Sequence, residues 1–362
     1  VRRLVACLLS AAAPILLALL HRWRRRQALC ATTGTWSLAS PPPSGTLPTL
    51  PAALLGALRS FDAVAVLGAD FASGDYAVAA PTLADLLRDV LAVSSAAKVA
   101  APAERARERL AASDLSVDET ELLLGDLCEA FGSERVRRRV KAALRRRSAA
   151  STAAEAMVRR RIEAVMAAPL TALLMVSWCE TFEDYIPHRV SRNFGGFAAT
   201  LGKPRVDAPP GRARPALHLW PGLDGIGAAG PGGVGGAEGL PASRSEVEHI
   251  LANDGPYLTY LRDLFRSKVA VLAGWPELPP GGHVGTALRQ AWREARAWDP
   301  SRAEPLAYAF ASRGGASEAA THAACLDECG LLVLEYDSAT LGGRGLEHCF
   351  RALAYAASEG QQ

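Results

Sequence analysis

The stretch VAVLGADFASGDY, Val64 to Tyr76, opens as an apolar run and closes in small and polar residues around glycine. Val64, Ala65, Val66 and Leu67 read as a strand buried on both faces, because no polar residue interrupts them. Gly68 and Ala69 turn the chain, and after AAPT the amphipathic segment LADLLRDVLAV reads as a helix. Strand, glycine turn and helix is the layout in which backbone N–H groups and a helix N-terminus face an anion. Asp70, third in the turn, sets a negative charge where a phosphate would lie. Without a neutralising arginine that charge costs about one to a few kcal/mol.

The same pattern repeats along the chain. A short helix, AALLGALRSF, precedes the opening strand. PLTALLMVSW (Pro169 to Trp178), RPALHLW near Pro215, KVAVLAGW (Lys268 to Trp275), PLAYAFAS (305–312) and CGLLVLEYD (329–337) read as five further strands. Helical patterns separate them: GPYLTYLRDLFRS, VGTALRQAWREAR, SEAATHAACLDE and GLEHCFRALAYAA. Alternating strands and helices predict an α/β fold, a Rossmann-like and mostly parallel sheet with helices on both faces. One domain, 53–358, is the simplest division, carrying a helical insertion at about 95–166 and a Gly-rich loop at 222–239.

Within the insertion, VDETELLLGDLCEAFG has an acidic first turn that suits the helix dipole. The basic stretch from Ser133 to Pro169 repeats apolar residues at Val136, Val140 and Leu144, which predicts two helices with solvated arginine faces. A basic patch for phosphate, nucleic acid or anionic lipid is the sharper alternative.

Bulk properties narrow the classes. The chain has 362 residues, 49% of them apolar and 21% charged, which describes a globular and not a disordered protein. A net charge of +3 gives no indication of a nucleic-acid partner. Seven cysteines (Cys7, Cys30, Cys128, Cys179, Cys325, Cys329 and Cys349) form no regular framework and no C-x-x-C pair, so they read as thiols of a reducing compartment. His322, Cys325 and Cys329 share one helical face without an evident fourth ligand, and core-facing cysteines are the preferred reading over zinc.

The first 30 residues form an apolar leader, followed by a Pro/Ser/Thr-rich linker over 31–52. Leu4 to Leu20 carries no charge and lies between arginines, near the lower length limit for a membrane span. A signal anchor, a targeting peptide and an artefact of gene prediction are all open. If the segment spans, the arginines after it keep the following domain in the cytoplasm, so the expected location is cytoplasmic with an N-terminal membrane anchor as an option.

The order of motifs resembles the SIR2-like proteins, the divergent, zinc-free branch of the sirtuin superfamily. That family opens with a strand and a G-A-G-F/I/V-S turn, matched by Gly68, Ala69, Asp70, Phe71 and Ala72. VSWCETFED (Val176 to Asp184) occupies the place of its T-N-Y/F-D-x-L-L-E motif, and Leu219 to Asp224 that of L-H-G-S-L-D. Gly274 to Pro279 stands at its G-Y/F-S-x-x-D motif, and LAYAF, CGLLVLEYD and GLEHCFRALAYA follow the family's last three parts. The resemblance covers residues 55 to 357.

It implies a site for NAD or ADP-ribose across the carboxyl ends of the strands, without zinc. Gly68, Ala69, Asp70 and Phe71 would lie at the phosphates, Gly274 and Trp275 at the ribose, and Tyr336 and Asp337 on the adenosine side. The family's catalytic Asn and His positions fall on Trp178 and Trp220, and its later Asp on Pro279. An indole is neither base nor acceptor at neutral pH, so the resemblance implies impaired catalysis. His218 lies two residues before Trp220 on the same strand face and is the substitute catalytic candidate. An active NAD hydrolase or NAD-dependent deacylase with relocated groups, and a membrane-associated scaffold without nucleotide, are the alternatives.

Overall fold

The computed structural model describes residues 46–68, 71, 83–92, 101–111, 115, 117–147, 152–175, 216–218, 243–250, 252, 256–275, 278–313 and 316–359. Six strands form one sheet: β1 (Ala63–Leu67), β2 (Ala172–Met175), β3 (Ala216–His218), β4 (Val269–Ala273), β5 (Ala307–Ser312) and β6 (Leu331–Tyr336). Their order is β3-β2-β1-β4-β5-β6, and every pairing is parallel. The α/β, Rossmann-like reading therefore holds, down to the strand order of the doubly wound fold.

The apolar runs form strands because both of their faces are covered. Alternate residues of β1 point to opposite sides: Ala63, Ala65 and Leu67 enter one core, Val64 and Val66 the other. The first core is closed by α1 (Ala52–Arg59), α6 (Thr152–Ala167) and α12 (Gly345–Glu359). The second is closed by α8 (Pro256–Ser267), α9 (Gly282–Trp298) and α10 (Ala316–Cys329), with Val247 of α7 (Arg244–Ile250) at its rim. All five side chains of β1 are buried, and each Val or Leu so covered contributes about 1.5–3 kcal/mol. A short helix α11 (Ser338–Leu341) and a 3-10 turn (Gly342–Arg344) join β6 to α12.

Between β1 and β2 the chain builds a third core of its own from α2 (Leu83–Ala92), α3 (Ala101–Ala111), α4 (Val117–Phe131) and α5 (Ser133–Arg147). Val136 and Val140 are buried in it as their spacing predicts, whereas the Leu144 side chain lies outside the described residues. The module meets the sheet layer along α4, which packs on α7 and on the start of α9. At that seam the buried Asp126 carboxylate accepts hydrogen bonds from Arg105 of α3 and Arg244 of α7, both at 3.2 Å.

Cys325 and Cys329 are buried in the second core, as preferred over a metal role, and the thiol of Cys329 donates to the Cys325 carbonyl. Burial pushes the two thiols up to about 11 and about 12. His322 turns away to Glu335, 2.7 Å distant. The apolar leader and the linker up to residue 45 lie outside the described residues. Among the described residues no helix is long and apolar enough to cross a membrane.

Candidate functional site

In a sheet of this order the chain leaves β1 to one side and β4 to the other, and the crevice opens where those connections part, at their carboxyl ends. Gly68 follows β1 and Gly274 follows β4. The Gly68 N–H donates to the Ala273 carbonyl at 2.9 Å, extending the β1–β4 pairing into the turns. The two glycines allow these turns to interlock. A Cβ on Gly68 would stand 2.4 Å from the Gly274 oxygen. Gly274 has φ +72°, and a Cβ there would stand 2.1 Å from the Phe71 nitrogen. Only glycine meets both demands, a left-handed backbone and no side-chain atom toward the neighbouring turn.

Phe71 and Trp275 pack against these turns. The Phe71 N–H donates back to the Gly68 carbonyl at 3.2 Å, which closes a tight turn after β1. Its ring is buried in the first core, edge-on to Phe350 at 6.0 Å between centroids. Trp275 lies over the β1 turn, its indole N–H donating to the Val66 carbonyl at 3.3 Å. Arg161, only 2% exposed, reaches in from α6 and donates to the carbonyls of Phe71 and Gly343, each at 2.9 Å. This guanidinium ties Phe71, past the end of β1, to the 3-10 turn that leads into α12.

Gly68, Phe71, Gly274 and Trp275 thus come together. Tyr336 and Asp337 stand at the end of β6, at the sheet's edge. The Tyr336 ring is buried, and the Asp337 carboxylate caps α11, accepting from the N–H groups of Ala339 (3.0 Å) and Thr340 (3.2 Å) and from the Thr340 hydroxyl (2.7 Å). Those bonds, Thr340's first, hold the Asp337 carboxyl below the usual carboxylate range. His218 is the last residue of β3, paired with Met175 of β2. Ala69, Asp70, Trp178 and Trp220 lie outside the described residues.

Two features escaped the sequence reading. The first is Arg161, which departs from the solvated arginine face expected of its helix. A signal was present: it lies four residues after Met157 and four before Val165, on the apolar stripe. The second is the buried pair of Glu121, on α4, and His283, in the first turn of α9, with Oε1 and Nδ1 3.2 Å apart. These residues are more than 160 positions apart, and only the docking of the helical module joins them. Together they place a carboxylate and an imidazole where the module meets the helix that follows β4.

At the ends of β1 and β4 the described residues are therefore two interlocked glycine turns, with the Trp275 indole packed on Gly68 and the buried Arg161 guanidinium bound to the Phe71 carbonyl. Compared with known proteins, the chain matches no protein-family model and no curated protein.

Proposed function

We propose that the crevice between the ends of β1 and β4 binds NAD or ADP-ribose and that its catalytic chemistry is impaired. The observation that carries this reading is the interlock of Gly68 and Gly274 at the point where the strand order reverses. Folds of this order place dinucleotides there. Arg161 supports the reading, because its charge lies on the Phe71 carbonyl just past the end of β1 and favours an anion brought to that end of the strand. Impairment follows from the motif resemblance, which sets Trp178 and Trp220 at the places of the catalytic Asn and His. Neither indole can take a proton from a ribose hydroxyl.

The test is thermal unfolding of the full chain with and without millimolar NAD or ADP-ribose, alongside a nicotinamide-release assay. The expected result is a raised melting temperature without nicotinamide release. A flat melting temperature with both ligands overturns the binding proposal. Release that disappears in His218→Ala overturns the impairment and makes the protein an NAD hydrolase or NAD-dependent deacylase with a relocated base.

A further inference from the structure

We infer that three arginines gathered on Glu347 beside the β1 turn form a binding site for a phosphate group. Glu347, in the first turn of α12, has a fully buried side chain. Arg344 grips it with two hydrogen bonds of 3.1 and 3.0 Å, Arg160 of α6 donates at 3.3 Å, and Arg351 approaches to 2.9 Å. One carboxylate holds three guanidinium charges, which leaves two positive charges in excess. Among the described residues no second carboxylate pairs with any of the three.

The cluster is open to solvent on its arginine side: the side chains of Arg344, Arg160 and Arg351 are 50%, 39% and 24% exposed. Among the described residues, Arg160 is engaged through Nε alone, and neither its terminal nitrogens nor Nη1 of Arg344 has a hydrogen-bond partner, which leaves their protons for a ligand. The positive field reaches His348, whose imidazole is held below its ordinary range by burial and then by the Arg344 charge. A buried carboxylate that fixes guanidinium forks and leaves a surplus of two charges suits a dianion with oxygens on several sides, which is the chemistry of phosphate. Arg161 links Gly343, next to Arg344, to Phe71 of the β1 turn, so the cluster adjoins the crevice.

Titration calorimetry of the full chain with inorganic pyrophosphate, and separately with ADP, tests this. Arg160→Gln and Arg344→Gln are each expected to weaken binding about tenfold, the effect of losing a charged hydrogen bond. Arg293→Gln, in the groove between α9 and α10, is expected to leave it unchanged. Tighter binding of ADP than of pyrophosphate, with the same dependence on arginine, identifies a nucleotide as the source of the phosphate; equal binding identifies the free anion. No binding, or binding equal in all variants, overturns the inference.

Should Arg344→Gln not fold, the unaltered protein decides. Pyrophosphate is expected to slow phenylglyoxal modification of Arg160 and Arg344, mapped by mass spectrometry, and an unchanged rate overturns the site. The inference stands apart from the dinucleotide proposal. Arginine-dependent pyrophosphate binding without an NAD response keeps the phosphate site and discards the other reading; an NAD response without arginine dependence does the reverse.

Discussion

Asp126 and Glu347 are both fully buried carboxylates that hold arginines from different helices, yet they are built to different ends. Asp126 takes one arginine on each oxygen, and Arg244 carries on to Glu248 at 3.0 Å, so two acids meet two bases. Glu347 meets three bases alone. The balanced cluster is a pin that fastens the helical module to α7. The unbalanced one has redundancy within the protein and charge to spare beyond it. Burying a carboxylate thus has no single meaning; the count of partners and their exposure decide between a fastening and a site.

Four measurements put that contrast to the test. The largest effect is expected at the pin, where Gly125 lets α4 and α7 touch: a Cβ there would stand 2.6 Å from the Arg244 Cα. Gly125→Ala forces backbone apart and is expected to cost about 3 kcal/mol in urea unfolding. Arg244→Ala comes next, at about 2 kcal/mol, because it leaves the buried Asp126 with one partner. If the variant unfolds like the parent, Asp126 is not a pin.

Third is the pH response of Glu347. Burial alone would push its carboxyl up, but the hydrogen bonds and charge of Arg344, then the charges of Arg351 and Arg160, outweigh it and hold the group below its ordinary range. The folded protein therefore binds fewer protons there than the unfolded chain. Its stabilisation is complete above the ordinary glutamate value of 4.5 and is lost as pH falls through the lower folded value. Glu347→Gln is expected to flatten the acid side of the stability profile below that point, read by urea midpoints at successive pH values. The smallest effect is Arg160→Ala, within about 1 kcal/mol, since the arginine is partly exposed and two others remain on Glu347. A cost above that of Arg244→Ala would reverse the comparison.

The sheet was legible because its signals are local. Uninterrupted runs such as Val64 to Leu67 and Val269 to Ala273 announce strands covered on both faces, and glycine after each marks the turn. α7 left no comparable mark: its seven residues carry too few apolar positions to show a period, and it is held by α4 through Arg244. The helix α11 is shorter still and depends on its Asp337 cap. Arg161 stood on an apolar stripe inside an arginine-rich run, where composition argued for solvent and only the facing core argued otherwise.

The residues alone announced the alternation of strands and helices and the two glycine turns, because hydrophobic periodicity and backbone freedom act over a few residues. That the helices from Leu83 to Arg147 close a core of their own while Thr152–Ala167 joins the sheet was settled by packing. Only the closed fold makes Gly68 and Gly274 interlock, Arg161 bridge two carbonyls, Glu121 meet His283 and three arginines converge on Glu347. Those pairings join segments far apart in the chain. Their energies depend on burial and on the number of partners, which exist only once the layers have closed.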